Sequence, residues 1–182
     1  VIAGSLYIIA PVPALGWLAV AAAVVVMAYT GYLMAFSPSI PFWNNALLPV
    51  LFLTFYAESG TALAIPLYAT FAGTPTQLLE AVEVTLLALV AIIIFSYLYG
   101  AYHSSVSARE AVGLLVRGKL APGFFLSVGV LGLAVPVALE ILPGIGAISL
   151  GTSWLAALLC IQGAVFFRWA VLRAGVYAPV CY

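Results

Sequence analysis

The sequence predicts an all-α fold, a polytopic transmembrane helical bundle of about five spans, and three observations carry that expectation. Of 182 residues, 66% are hydrophobic and only 5% charged, whereas a soluble domain carries about 25% charged residues. The mean hydropathy is +1.28. The apolar residues fall in unbroken runs long enough for a helix to cross the hydrocarbon core, with none of the alternation of a membrane β-barrel. Five Lys+Arg against five Asp+Glu leave no net charge, which excludes a nucleic-acid binder, and the hydrophobicity excludes a disordered tail. The partner this composition demands is the lipid bilayer.

Breakers and charges divide the chain into five apolar segments. The first, 14–36, follows the Pro11-Val12-Pro13 break; the others cover 46–71, 76–102, 122–142 and 152–173. Residues 1–10 are too few to cross alone. The whole of 1–182 reads as a single transmembrane domain. Its apolar opening at Val1, with no basic leader, reads as the continuation of a longer chain rather than as a signal peptide.

The third segment has the clearest start: Thr74 as N-cap, Pro75 at the first helical position and Gln77 completing a capping box. Glu80 and Glu83 then occupy the first turns, where the helix dipole favours negative charge. Pro66 and Pro136 each remove a backbone donor and should kink their helices, leaving the carbonyls of Ala62 and Gly132 without their usual partners. In the fifth segment Ala156, Cys160 and Ala164 recur every four residues, a small-residue seam that admits a neighbouring helix.

Threading five spans places 37–45, 103–121 and the C-terminus on one face, and 72–75 with 143–151 on the other. The first face collects Arg109, Arg117, Lys119 and Arg173; Glu80, Glu83 and Glu140 fall towards the second. The positive-inside rule would make the basic face cytoplasmic.

Few residues offer chemistry. Cys160 and Cys181 on one helix would lie about 30 Å apart, too far to pair. No CxxC or cysteine cluster suggests zinc or an iron–sulfur centre, and His103 is the only histidine, so haem with two histidine ligands cannot be built from this chain. No catalytic residue and no metal ligand is assigned. Glu58 sits mid-span, where an ionised carboxylate costs at least about 2.5–3.5 kcal/mol. Thr54 and Thr61 share its face, and Gln162 in the fifth segment is a candidate partner. Glu58 is either a proton-relay carboxyl or a neutral, hydrogen-bonded structural one. Arg168, deeper than Arg173, calls for an acidic or carbonyl partner. Tyr29, Tyr32, Trp43, Tyr97, Tyr99, Tyr102 and Trp169 fit an interfacial aromatic belt. His103 is either solvated or a proton-exchanging group at the interface. Residues 104–120, SSVSAREAVGLLVRGKL, form a short amphipathic stretch that either lies on the membrane or meets another subunit.

Three stretches together carry a resemblance. AYTGYLMAFSPSIPFWNNALLPVLFL (28–53), GLLVRGKLAPGFFLSVGVLGLAVP (113–136) and GAVFFRWAVLRAG (163–175) resemble the NrfD/polysulfide-reductase membrane-subunit family over nearly the whole chain. The resemblance implies a multi-pass subunit of the prokaryotic cell membrane, without haem or iron–sulfur clusters of its own. Such a subunit exchanges electrons between quinone, of menaquinone or ubiquinone type, and a docked ferredoxin-like iron–sulfur subunit, which is often joined to a molybdopterin catalytic subunit. It implies two four-helix bundles, of which this chain would supply the last span of the first and all of the second. Tyr29, in Ala28-Tyr29-Thr30-Gly31, matches the family's quinone-pocket tyrosine, with Tyr32 beside it. Arg168 matches an arginine tied to a suggested proton route, whereas Glu58 departs from the family's small or hydroxyl residues.

The leading expectation is therefore a quinone-interacting anchor that is not catalytic by itself. Tyr29 and Tyr32 would sit at the quinone; Trp43, Asn44, His103, Arg109, Arg117 and Lys119 would form the partner-docking face. The alternative is a proton-translocating module without a quinone site, working through Glu58, Gln162, Arg168 and Glu140. The family arrangement places the tyrosine end outside the cytoplasm, against the charge rule, so sidedness stays open.

Overall fold

The computed structural model describes residues 12–71, 73, 77–141 and 150–177. Among them are five helices long and apolar enough to cross a membrane. Helix α1 is Pro13–Ala35, α2 Leu47–Phe71, α3 Gln77–Ser104 and α4 Val106–Val116. The fourth span is composite: α5 (Ala121–Phe124), a π-helical stretch (Phe125–Ala134) and α6 (Val135–Ile141). The last span is α7 (Leu150–Arg173). These bounds match the expected segments to within a few residues. The capping box proposed at Thr74, Pro75 and Gln77 lies outside the described residues.

Helix α2 is central and packs against α1, α3 and α7; α3 meets α6, and α7 meets the π stretch and α6. Four spans thus close a bundle, and α1 lies outside it against α2. A bilayer offers helices little hydrophobic reason to associate, so close backbone approach must hold them. Two glycine contacts supply it. A Cβ on Gly31 would stand 2.5 Å from Cα of Pro49, and one on Gly163 would stand 2.6 Å from Cα of Gly132. The seam anticipated in the last span is packed as expected: Ala156, Cys160 and Ala164 are all buried.

Pro136 does more than bend a helix. The final wide-turn hydrogen bond of the π stretch runs from the Val135 amide to the Val130 carbonyl, directly before Pro136. A widened turn ahead of a missing donor shifts the register of the carbonyls that proline would orphan. The span is therefore a π-helix flanked by α-helical ends, not the simple kinked α-helix expected.

The connection between α1 and α2 is anchored at both sides. Tyr97 of α3 is fully buried and donates its hydroxyl to the Phe42 carbonyl at 2.7 Å. Trp43 donates Nε1–H to the Val171 carbonyl of α7 at 3.0 Å. Tyr97 is thus a core hydrogen-bond donor, not the interfacial aromatic expected from its type. Ser105 accepts from the Ala108 amide and caps α4, which lays Ala108, Ala111, Val112 and Leu115 into the core.

Candidate functional site

The buried face of α3 runs through Glu83, Leu87, Val90, Ile94, Tyr97 and Ala101, spaced alternately four and three residues apart. That spacing keeps one helical stripe turned inward, so Glu83 is carried into the bundle with its apolar neighbours. There it meets Glu58 of α2 and Cys160 of α7. The three are 0%, 1% and 2% exposed, and one ligand-capable atom from each lies within 4.8 Å of the others. The Ser59 hydroxyl donates to Oε2 of Glu58 at 3.0 Å. The Cys160 thiol points to Oε1 of Glu83 at 3.8 Å. Oε2 of Glu83 has no hydrogen-bond partner.

A cavity of about 210 Å³ adjoins this cluster, at the end of the bundle where α2 finishes and α3 begins. Glu80, Glu83, Glu140, Ser153, Ala62 and Ala156 are among its walls. The Oγ of Ser153, a residue 8% exposed, is buried with no hydrogen-bond partner, as is Oε2 of Glu140. The acidic residues sorted to one face by threading are therefore gathered in space. Two carboxylates this close in a low-dielectric interior demand a positive partner, whether a proton or a cation.

Other expected contacts are replaced. Thr54 and Thr61 do not form a polar stripe with Glu58, because each hydroxyl donates to its own helix, to the carbonyls of Val50 and Ala57. Gln162 is not the partner of Glu58; its Oε1 is buried without a hydrogen bond. Among the described residues Arg168 finds neither a carboxylate nor a carbonyl contact. Its guanidinium lies 4.1 Å from the ring centroid of Tyr56 and 5.7 Å from that of Phe52, and Nε and Nη2 are unpartnered. Stacking on an aromatic face is the arrangement a weakly hydrated guanidinium tolerates best away from water.

The opposite end holds the residues expected to dock a partner. Asn44, His103, Arg109, Arg117 and Lys119 are exposed. His103 packs its ring 4.5 Å from Tyr99, and Arg109 donates to the Tyr102 carbonyl while lying 5.1 Å from the Tyr102 ring. Trp43 is the exception. It is half-buried, bonded to α7, and its ring would collide with a Cβ at Gly175, so it ties the loop before α2 to the last span.

Tyr29 and Tyr32 lie on α1, 61% and 54% exposed and away from the acidic cluster. Between them Thr30 turns inward, its hydroxyl 3.3 Å from that of Tyr56. Thr30, Tyr56 and Arg168 thus form a polar line from α1 to α7.

Sequence reasoning missed Glu83, Cys160 and Ser153 as site residues. The signal for Glu83 was present in its phase with Leu87, Val90 and Tyr97. In a helix apolar on every side, however, nothing marks which stripe faces inward.

The family model described as polysulphide reductase, NrfD, matches residues 5–179. The chain belongs to the NrfD family. Among its relatives, the C subunit of polysulfide reductase from Wolinella succinogenes is 32% identical over 160 residues, covering 84% of this chain and 50% of the relative. Protein NrfD of Escherichia coli K12 is also 32% identical over 160 residues, with the same coverage. This NrfD-family protein thus spans about half the length of the curated relatives it matches. No solved structure matches it significantly. Family membership and the five apolar helices together make it a multi-pass membrane protein.

Proposed function

We propose that this chain anchors a respiratory oxidoreductase in the cell membrane and passes electrons between quinone and a docked ferredoxin-like iron–sulfur subunit. The observation that carries the reading is the family match across residues 5–179, with one relative named as part of polysulfide reductase. The residues fit that role. Tyr29 and Tyr32 offer exposed hydroxyls on the outer edge of α1, with Thr30 leading inward to Tyr56 and Arg168. Arg109, Arg117 and Lys119 present positive charge at the end of the bundle where α4 lies, which suits an acidic electron-transfer partner. Quinone, the iron–sulfur subunit and any molybdopterin subunit supply the redox chemistry; this chain supplies binding, orientation and charge.

Tyr29→Phe is expected to lower quinone turnover of the assembled complex about tenfold, the equivalent of one hydrogen bond of about 1.4 kcal/mol, with assembly intact. Unchanged turnover would remove Tyr29 from the quinone site.

The cavity beside Glu83 and Glu140 supports a second reading, a proton-translocating module. Under it, Glu58→Gln lowers the proton-to-electron ratio of the complex reconstituted in vesicles while electron transfer continues. An unaltered ratio counts against a path through Glu58.

A further inference from the structure

The convergence of Glu58, Glu83 and Cys160 has a use that neither reading requires. We propose that these three side chains form an intramembrane site for a borderline-soft divalent cation of the zinc type, loaded through the cavity that Glu80 and Glu140 line.

The donor set is the first argument. One thiolate and two carboxylates are ligands that zinc accepts, with a fourth tetrahedral position open to water or a hydroxyl. Ser153 lines the adjoining cavity with its Oγ unpartnered. Ligand atoms on tetrahedral zinc stand about 3.5 Å apart. The three here lie within 4.8 Å of one another, so loading the site draws them closer.

The second argument is the unpartnered polar atoms at the cavity, one of them outside the cluster: the Oγ of Ser153, a residue 8% exposed, is buried there without a hydrogen bond. Glu83 is 0% exposed, its Oε2 is unpartnered, and it is part of the cavity wall. Buried polar atoms are nearly always satisfied, and one that is not points to an ion or water as its partner. Charge gives the third argument: a divalent cation offsets the like charges of carboxylates that converge in a low-dielectric interior. Loading the site releases the Cys160 thiol proton and any proton held on the carboxyls to the cavity.

The test uses the full chain purified in detergent and incubated with Zn²⁺ alone, comparing the parent with Cys160→Ser, Glu58→Gln and Glu83→Gln. The parent should retain one more zinc per chain than Cys160→Ser after dialysis. X-ray absorption should then show one sulfur at about 2.3 Å from the metal. Zinc should raise the thermal midpoint of the parent and not of Cys160→Ser, and each Glu→Gln change should weaken binding at least about tenfold. Matching midpoints without zinc establish that the variants fold. Equal zinc in the parent and Cys160→Ser, or bound zinc with no sulfur neighbour, overturns the proposal. So does carbodiimide labelling of Glu58 or Glu83 that zinc does not suppress, because the cluster is then occupied by protons. None of these readouts involves quinone, so failure here leaves the anchor reading untouched.

Discussion

Gly163→Leu is expected to abolish the packed bundle, and the smaller Gly163→Ala to destabilise it by about 1–3 kcal/mol. The argument is steric. A Cβ at Gly163 would lie 2.6 Å from Cα of Gly132 and 3.3 Å from the Ser127 carbonyl oxygen. Both neighbours are backbone, which cannot rotate away as a side chain would. The π stretch and α7 would have to separate, and in a bilayer no gain in hydrophobic burial offsets the packing that separation removes. Gly60 is the internal control: nothing lies within 4 Å of a Cβ there. Gly60→Ala should therefore be neutral or mildly stabilising through helix propensity, by up to about 1 kcal/mol. Unfolding of the detergent-solubilised protein by denaturing surfactant measures both. Equal stability of Gly163→Ala and the parent would refute close backbone contact between these spans.

Trp43→Ala should cost about 3 kcal/mol, the low end for truncating a buried aromatic, because the ring is only half covered. It removes the ring that fills the space over Gly175 and leaves the Val171 carbonyl without the indole donor. Trp43→Phe keeps most of the ring and should cost about 1 kcal/mol, the worth of the hydrogen bond. Neither change should weaken co-purification of a partner subunit from material that remains folded. Arg117→Ala combined with Lys119→Ala should do the reverse, reducing partner retention with the thermal midpoint unchanged, since both side chains are exposed. If Trp43→Phe releases the partner at unchanged stability, Trp43 belongs to the docking face after all.

The five spans were legible because long apolar runs separated by proline, glycine and charge have few other solutions in a chain this hydrophobic. Even the sorting of Glu80, Glu83 and Glu140 to one end followed from threading alone. Contacts across the bundle were harder to read. Glu58 is marked by its cost in lipid, but the partners that sequence suggests for it, Thr54, Thr61 and Gln162, are only near in sequence or obviously polar. The structure instead supplies Glu83, which sequence presents as a helix-start charge, and Cys160, which it presents as a small residue in a seam. Residue type misled in the same way at Tyr97 and Trp43, where aromatic side chains fitting a membrane belt prove to hold a loop in place. Pro136 marks where the fourth span must depart from a regular α-helix, but the sequence does not say whether the chain kinks or widens into a π-helix there.

The loop that receives Tyr97 from α3 and reaches Val171 on α7 also bears on biogenesis. Its second anchor lies near the end of the last span, more than a hundred residues downstream in synthesis. The first helices can enter the bilayer as they are made, yet this fastening cannot form until the translocon has released the final one. A chain truncated before α7 would therefore be inserted but unfastened, leaving the loop open to membrane quality control.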